Sequence, residues 1–94
     1  MKLRAKHRRT LDAVFAHPVS GNIRWAEIEA LVKALGGTVE EGSGSRVHFL
    51  VEGRPATFHR PHPAPTADKG AVAVVAAFRK YLISANITLR DRPS

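Results

Sequence analysis

The sequence predicts an α+β domain in which helices pack on one face of a small antiparallel sheet. Three observations carry that expectation. Residues 46–51 and 54–58 are runs of alternating apolar character joined by Glu52-Gly53, the two-residue connection that closes a tight β-hairpin. Trp25, Ile28, Leu31, Val32 and Leu35 recur at helical spacing and stop at Gly36-Gly37, as a C-cap should. Ala71, Val74, Val75, Phe78 and Leu82 form a further helical stripe near the end of the chain.

Composition bounds the class before any element is placed. A chain of 94 residues makes one domain with one modest core. It has no cysteine, which removes disulfides and thiolate metal sites and fits a reducing, cytoplasmic compartment. The longest apolar-rich run, residues 71–78, is far short of the roughly 20 residues a membrane helix needs. The N-terminus lacks the long apolar segment of a signal peptide, so a soluble, non-exported protein is expected. Lys plus Arg number 15 against 8 acidic residues, a formal charge of +7. Such an excess attracts polyanions, RNA or DNA above all, although an acidic protein fits the same field.

The first element carries Lys2, Arg4, Lys6, His7, Arg8 and Arg9 at its start, then His7, Leu11, Val14 and Phe15 at helical spacing. It reads as a short amphipathic helix ending near His17-Pro18, because proline disfavours helical geometry at the residue before it. Cations at a helix N-terminus oppose the macrodipole, so the basic start is expected to be frayed and solvated. The Pro-Ser-Gly-Asn turn of residues 18–22 follows, with Asn22 as the expected cap of the second helix. Trp25 heads a clean apolar stripe and is assigned to the core rather than to base stacking.

Thr38–Glu41 is a short edge strand with Val39 inward and Thr38 and Glu40 outward. The Gly-Ser turn of residues 42–45 leads into the hairpin, completing a three-stranded meander. It lacks the Lys-Ser/Thr of a phosphate-binding P-loop. With a period of two, Val47, Phe49 and Val51 face the core while Arg46, His48 and Leu50 face away. The function is expected in residues 42–63, where basic and imidazole side chains gather on strand-like sequence.

Three prolines on alternate positions, Pro61, Pro63 and Pro65, impose an extended conformation after His59 and Arg60. His59 and His62 have H-x-x-H spacing, but they are not on a helix and no carboxylate lies close in sequence, so no metal site and no cofactor is expected. Thr66 or Asp68 caps the last helix, whose polar flank carries Lys69, Arg79 and Lys80. Lys69 and Gly70 in its first turn offer a cation and free backbone N–H groups to a phosphate. Asn86 ends the helix, Ile87 and Leu89 tuck back, and residues 90–94 form a loose tail.

The order helix, three-stranded meander, helix, with the Gly36-Gly37 stop, the Gly44-Ser45 turn, the strand pair and the segment FHRPHP at residues 58–63, resembles the HicA toxin family from about Trp25 to Ile87. The resemblance divides the chain into a basic helical extension, residues 1–24, a HicA-like domain, residues 25–89, and the tail. It implies a dsRBD-like fold, action on mRNA that stops translation, and a HicB-like antitoxin that masks the active face. HicA toxins place a catalytic histidine one or two residues after the Gly-Ser pair. Here those positions hold Arg46 and Val47.

Strand alternation sets His48 on the same face as Arg46, which makes it the candidate catalytic base, with His59 as the second imidazole. Arg46, Arg54, Arg60 and Lys69 are the expected RNA contacts, planar guanidinium forks matching phosphate oxygens. Whether His48 and His59 share a face depends on the hairpin register. The functional expectation is an mRNA-cleaving or translation-blocking toxin working without metal. Its alternatives are a non-catalytic RNA-binding module and a basic domain that docks an acidic protein. No membrane partner is expected, and the aliphatic last helix makes a poor reader of a DNA groove.

Overall fold

A computed structural model describes residues 3–18, 22–60 and 69–87, with only the backbone at 69–71. Its elements follow in the order α1 (Ala5–Val14), α2 (Trp25–Ala34), β1 (Thr38–Glu41), β2 (Arg46–Val51), β3 (Arg54–His59) and α3 (Lys69–Ser84). The strands form one antiparallel sheet in the order β1-β2-β3. This is the expected α+β arrangement, a dsRBD-like helix-sheet-helix unit with an additional helix in front.

The central strand β2 alternates between exposed and buried along its whole length, with Val47, Phe49 and Val51 inward. Phe49 lies at the middle of an aromatic cluster. Its ring centroid is 5.9 Å from Trp25 in a stacked pair, 5.3 Å from Phe58, 6.1 Å from Phe78 and 6.4 Å from Tyr81. Trp25 therefore packs against the core, as its position at the head of the stripe predicts. Leu11 and Val14 of α1 are fully buried in the same cluster as Ile28, Leu31 and Val32 of α2 and Phe78 and Leu82 of α3. All three helices thus share one core with the inner face of the sheet.

Local chemistry explains how the elements stop. Glu52 and Gly53 both have positive φ, 51° and 76°, the backbone of a type I′ turn. Gly36, at φ 86°, donates to the Lys33 carbonyl and Gly37 to that of Val32, the paired bonds of a Schellman motif. The same motif closes α3, where Asn86 at φ 63° donates to Ile83 and Ile87 to Leu82. Ile87 consequently tucks against the core as expected, while Leu89 and the cap candidates Thr66 and Asp68 lie outside the described residues.

The structure corrects three local expectations. The basic start is helical from Ala5 onward rather than frayed, with Thr10 Oγ1 donating to the Lys6 carbonyl and Leu11 and Val14 anchoring the helix from below. The N-cap of α2 is Arg24 rather than Asn22, because Glu27 reaches back to accept the Arg24 backbone N–H at 2.8 Å. Arg79 belongs to the packing of α3 rather than to a solvated flank. Its Nε and one terminal nitrogen donate to the Val14 and Ala16 carbonyls, both at 2.9 Å, satisfying acceptors that the end of α1 leaves open.

Candidate nucleic-acid interface

The helices cover one face of the sheet, and the other carries exposed side chains. The register pairs Arg46 with His59, His48 with Thr57 and Leu50 with Pro55 across β2 and β3, and Glu40 with His48 across β1 and β2. All of these residues are exposed. His48 and His59 therefore share the outward face as diagonal neighbours, a relation in which Cα atoms lie about 7–8 Å apart. The register that periodicity left open thus brings both imidazoles together with Arg46.

Each imidazole is held by a hydroxyl. His48 Nδ1 is hydrogen-bonded to Thr57 Oγ1 at 2.9 Å. Its Nε2 lies over Gly42, so close that a Cβ built on that glycine would come within 2.6 Å of it. The glycine in the β1–β2 turn is thus a requirement of the histidine's position. His59 Nδ1 lies 3.5 Å from Ser45 Oγ, a looser contact, and the Arg60 N–H donates to the Ser45 carbonyl at 2.8 Å, fastening the end of β3 to the same turn.

Arg60 is engaged within the chain. Its Nε donates to Glu29 Oε2 at 2.7 Å, and its two terminal nitrogens donate to Glu41 at 2.7 and 2.6 Å, one also reaching Glu29 Oε1 at 3.2 Å. Trp25 Nε1 donates to the same Glu29 oxygen. The fork bridges α2 and β1, and its hydrogen bonds hold both carboxylates below their ordinary range. The two carboxylates in turn raise the pKa of Arg60. A guanidinium paired on both edges to carboxylates has its planar donors occupied, so the expected phosphate contact at Arg60 competes with a structural one.

Arg54 is exposed but lies at the hairpin end of β3, in phase with the inward residues Ala56 and Phe58. Its carbonyl accepts the Tyr81 hydroxyl at 2.7 Å, tying the hairpin to α3. It stands apart from the Arg46, His48 and His59 group. Lys69 opens α3, and its side chain, like His62 and the proline segment, lies outside the described residues. Among the described residues no group of three or more His, Asp or Glu is arranged to hold a metal ion. None of their helices is long and apolar enough to cross a membrane.

Thr57 and Glu29 are the site-building residues that sequence reasoning missed, and it singled out the turn that holds Gly42 and Ser45 without giving either a role. Thr57 was detectable only once the register was known, because a threonine in a strand otherwise reads as strand propensity. Glu29 gave no signal, since an acidic residue beside a helical stripe is indistinguishable from a solvated one.

A family model described as the HicA toxin of bacterial toxin-antitoxin systems matches residues 25–80, more than half of the chain. The chain belongs to the HicA toxin family. The match begins at the first residue of α2 and runs through the sheet into α3, so it contains Arg46, His48, His59 and the Arg60 network. A toxin of this class has an antitoxin partner. No curated protein and no solved structure matches the chain.

Proposed function

We propose that this HicA toxin cleaves mRNA without a metal ion on the outward face of its sheet and is neutralised by a HicB-like antitoxin. The observation that carries this reading is the β2–β3 register, which sets His48, His59 and Arg46 together on one exposed face. His48 Nε2 takes the proton of a ribose 2′-OH, and the freed oxygen attacks the adjacent phosphorus. For this, Nδ1 carries the other proton and donates it as a hydrogen bond to Thr57 Oγ1, fixing the tautomer. The P–O5′ bond breaks as the cyclic phosphate forms, and protonated His59 supplies the proton to the leaving oxygen. Arg46 faces the charge that builds on the phosphate oxygens.

One observation favours a second reading, a HicA-derived module that binds RNA without cutting it. The two positions after the Gly-Ser pair are Arg46 and Val47, and Val47 is fully buried, facing the core. The test is induced expression of the wild type, His48→Ala and His59→Ala in a bacterial host, following growth and mRNA integrity together. Arrest with mRNA decay, lost in both variants, is expected. Decay that survives both substitutions removes the imidazole mechanism. Normal growth and intact mRNA with soluble wild-type protein present favour the binding module.

A further inference from the structure

The helix that precedes the family match is basic in a way its own fold does not use. Arg4 at the N-cap and Lys6, Arg8 and Arg9 in the first turns of α1 are all exposed, and none forms an ion pair with a carboxylate among the described residues. The first turn holds no acidic residue, and the one acid of the helix is Asp12, so the segment carries a net charge of +3. Arg4 and Arg8 are four residues apart, a like-charge spacing that weakens the helix. Asp12, four beyond Arg8, offsets the charge of that one arginine and leaves Arg4, Lys6 and Arg9 without an acid at helical spacing on their N-terminal side. Cations here also oppose the positive end of the macrodipole. His7, between them, has its pKa lowered by burial and then by Lys6 and Arg4. The charge is therefore locally unfavourable, yet α1 is clamped in place by Leu11, Val14 and the Arg79 hydrogen bonds.

Lys6 and Arg9 line the wall of an open groove of about 230 Å³ between α1 and the start of α2, with Thr10, Ala13, Ile23 and Glu27. The large apolar side chains exposed among the described residues are Leu50, Val72 and Ile83, none of them on α1. A protein interface is built around an apolar or aromatic centre with charge at the rim. A phosphate backbone needs only spaced cations and no apolar centre. The composition of this surface matches the second description.

We infer that α1 is a second RNA-contacting surface, in which Arg4, Lys6, Arg8 and Arg9 bind the phosphate backbone on the helical side of the molecule. It is separate from the sheet face that carries Arg46, His48 and His59. The inference rests on the RNA reading above and adds a backbone anchor outside the family domain. It makes α1 a source of affinity for RNA irrespective of sequence.

The test uses the full chain and a labelled 24-nucleotide 2′-O-methyl RNA, which lacks the attacking hydroxyl and keeps cleavage out of the measurement. Binding is followed by fluorescence anisotropy from low to physiological salt. The variant Arg4→Gln/Lys6→Gln/Arg8→Gln/Arg9→Gln keeps good helix formers on α1, and circular dichroism confirms its fold. Arg4 and Arg8 lie on a different side of the helix from Lys6, so one strand meets two to four of these cations. Neutralising them should flatten the log K against log[salt] slope by about 1.5–3, since each contact to single-stranded RNA contributes about 0.7. An Arg46→Gln variant, losing one contact, should change the slope by about 0.7. A folded quadruple variant with the wild-type slope overturns the inference while Arg46→Gln still reports on the sheet face. Wild-type protein that ignores RNA at low salt overturns both readings. If it instead binds polyglutamate through these four side chains, the surface is one for an acidic protein.

Discussion

Gly42 decides where His48 points. Its φ is ordinary, so the constraint is space: an added Cβ would meet the imidazole Nε2 at 2.6 Å and Arg46 Cβ at 3.1 Å. The nearest atom is the end of a side chain that can rotate away, so the fold survives the insertion. Arg46 Cβ is fixed to β2 and must give by a few tenths of an ångström, so Gly42→Ala should cost about 0.5–2 kcal/mol while abolishing RNA cleavage, as the ring leaves the Thr57 hydroxyl. A melt and a cleavage assay on the same preparation check this, and an active Gly42→Ala would mean that the observed ring orientation is not the working one. The carboxylates around Arg60 give the molecule a pH signature. Glu29 and Glu41 have folded pKa values below their ordinary 4.5, so on acidification the unfolded chain takes up protons first. Their contribution is complete above pH 4.5 and is lost as pH falls through the lower folded values. His7, lowered from 6.5, acts in the same direction at higher pH. Melting temperature should therefore fall from pH 7 to pH 3, and Glu29→Gln should flatten the limb below 4.5; an unchanged limb would show that the network contributes nothing to acid stability.

Among the elements, the hairpin was the most legible. Glu52-Gly53 announced the turn, and the alternation Arg46-Val47-His48-Phe49-Leu50-Val51 assigned every side chain of β2 to its face. The register that joins His48 and His59 was not legible, because alternation assigns faces within each strand but not the pairing between strands. What stayed hidden were the partners of arginines far apart in sequence, carboxylates for Arg60 and backbone carbonyls for Arg79. Arg60 meets Glu29 across 31 positions and Glu41 across 19, and Arg79 reaches Val14 across 65. Exposed charges carry no periodicity, so nothing in the sequence separates a paired arginine from a solvated one. The turn itself holds an unoptimised residue. Glu52 sits at φ 51°, a conformation that asparagine tolerates and a longer side chain resists. Glu52→Asn should stabilise the protein by about 0.5–1 kcal/mol, read as an upward shift in the denaturation midpoint with unchanged denaturant slope; a downward shift would mean that the Glu52 side chain makes a contribution of its own.

At the scale of the whole molecule, the family domain and the folding unit do not coincide. The match starts at residue 25, but the core starts earlier, with Leu11 and Val14 fully buried against α2 and α3. Burying such a side chain is worth about 1.5–3 kcal/mol, so the two account for about 3–6 kcal/mol. A domain of this size has a total stability of about 5–14 kcal/mol. Losing α1 would also leave Arg79 without the Val14 and Ala16 carbonyls it now binds and open the core that Leu11 and Val14 share with α2 and α3. A chain truncated to residues 25–94 should accordingly lose a large share of its stability and expose apolar surface. Chemical denaturation, together with binding of a hydrophobic dye, measures both effects. Leu11→Ala, which removes one buried side chain and leaves the basic surface in place, should cost about 2–5 kcal/mol. If the truncated chain melts like the full one, the sheet and the two remaining helices close their core unaided, and the burial of Leu11 and Val14 serves only to hold the cations of α1 in position.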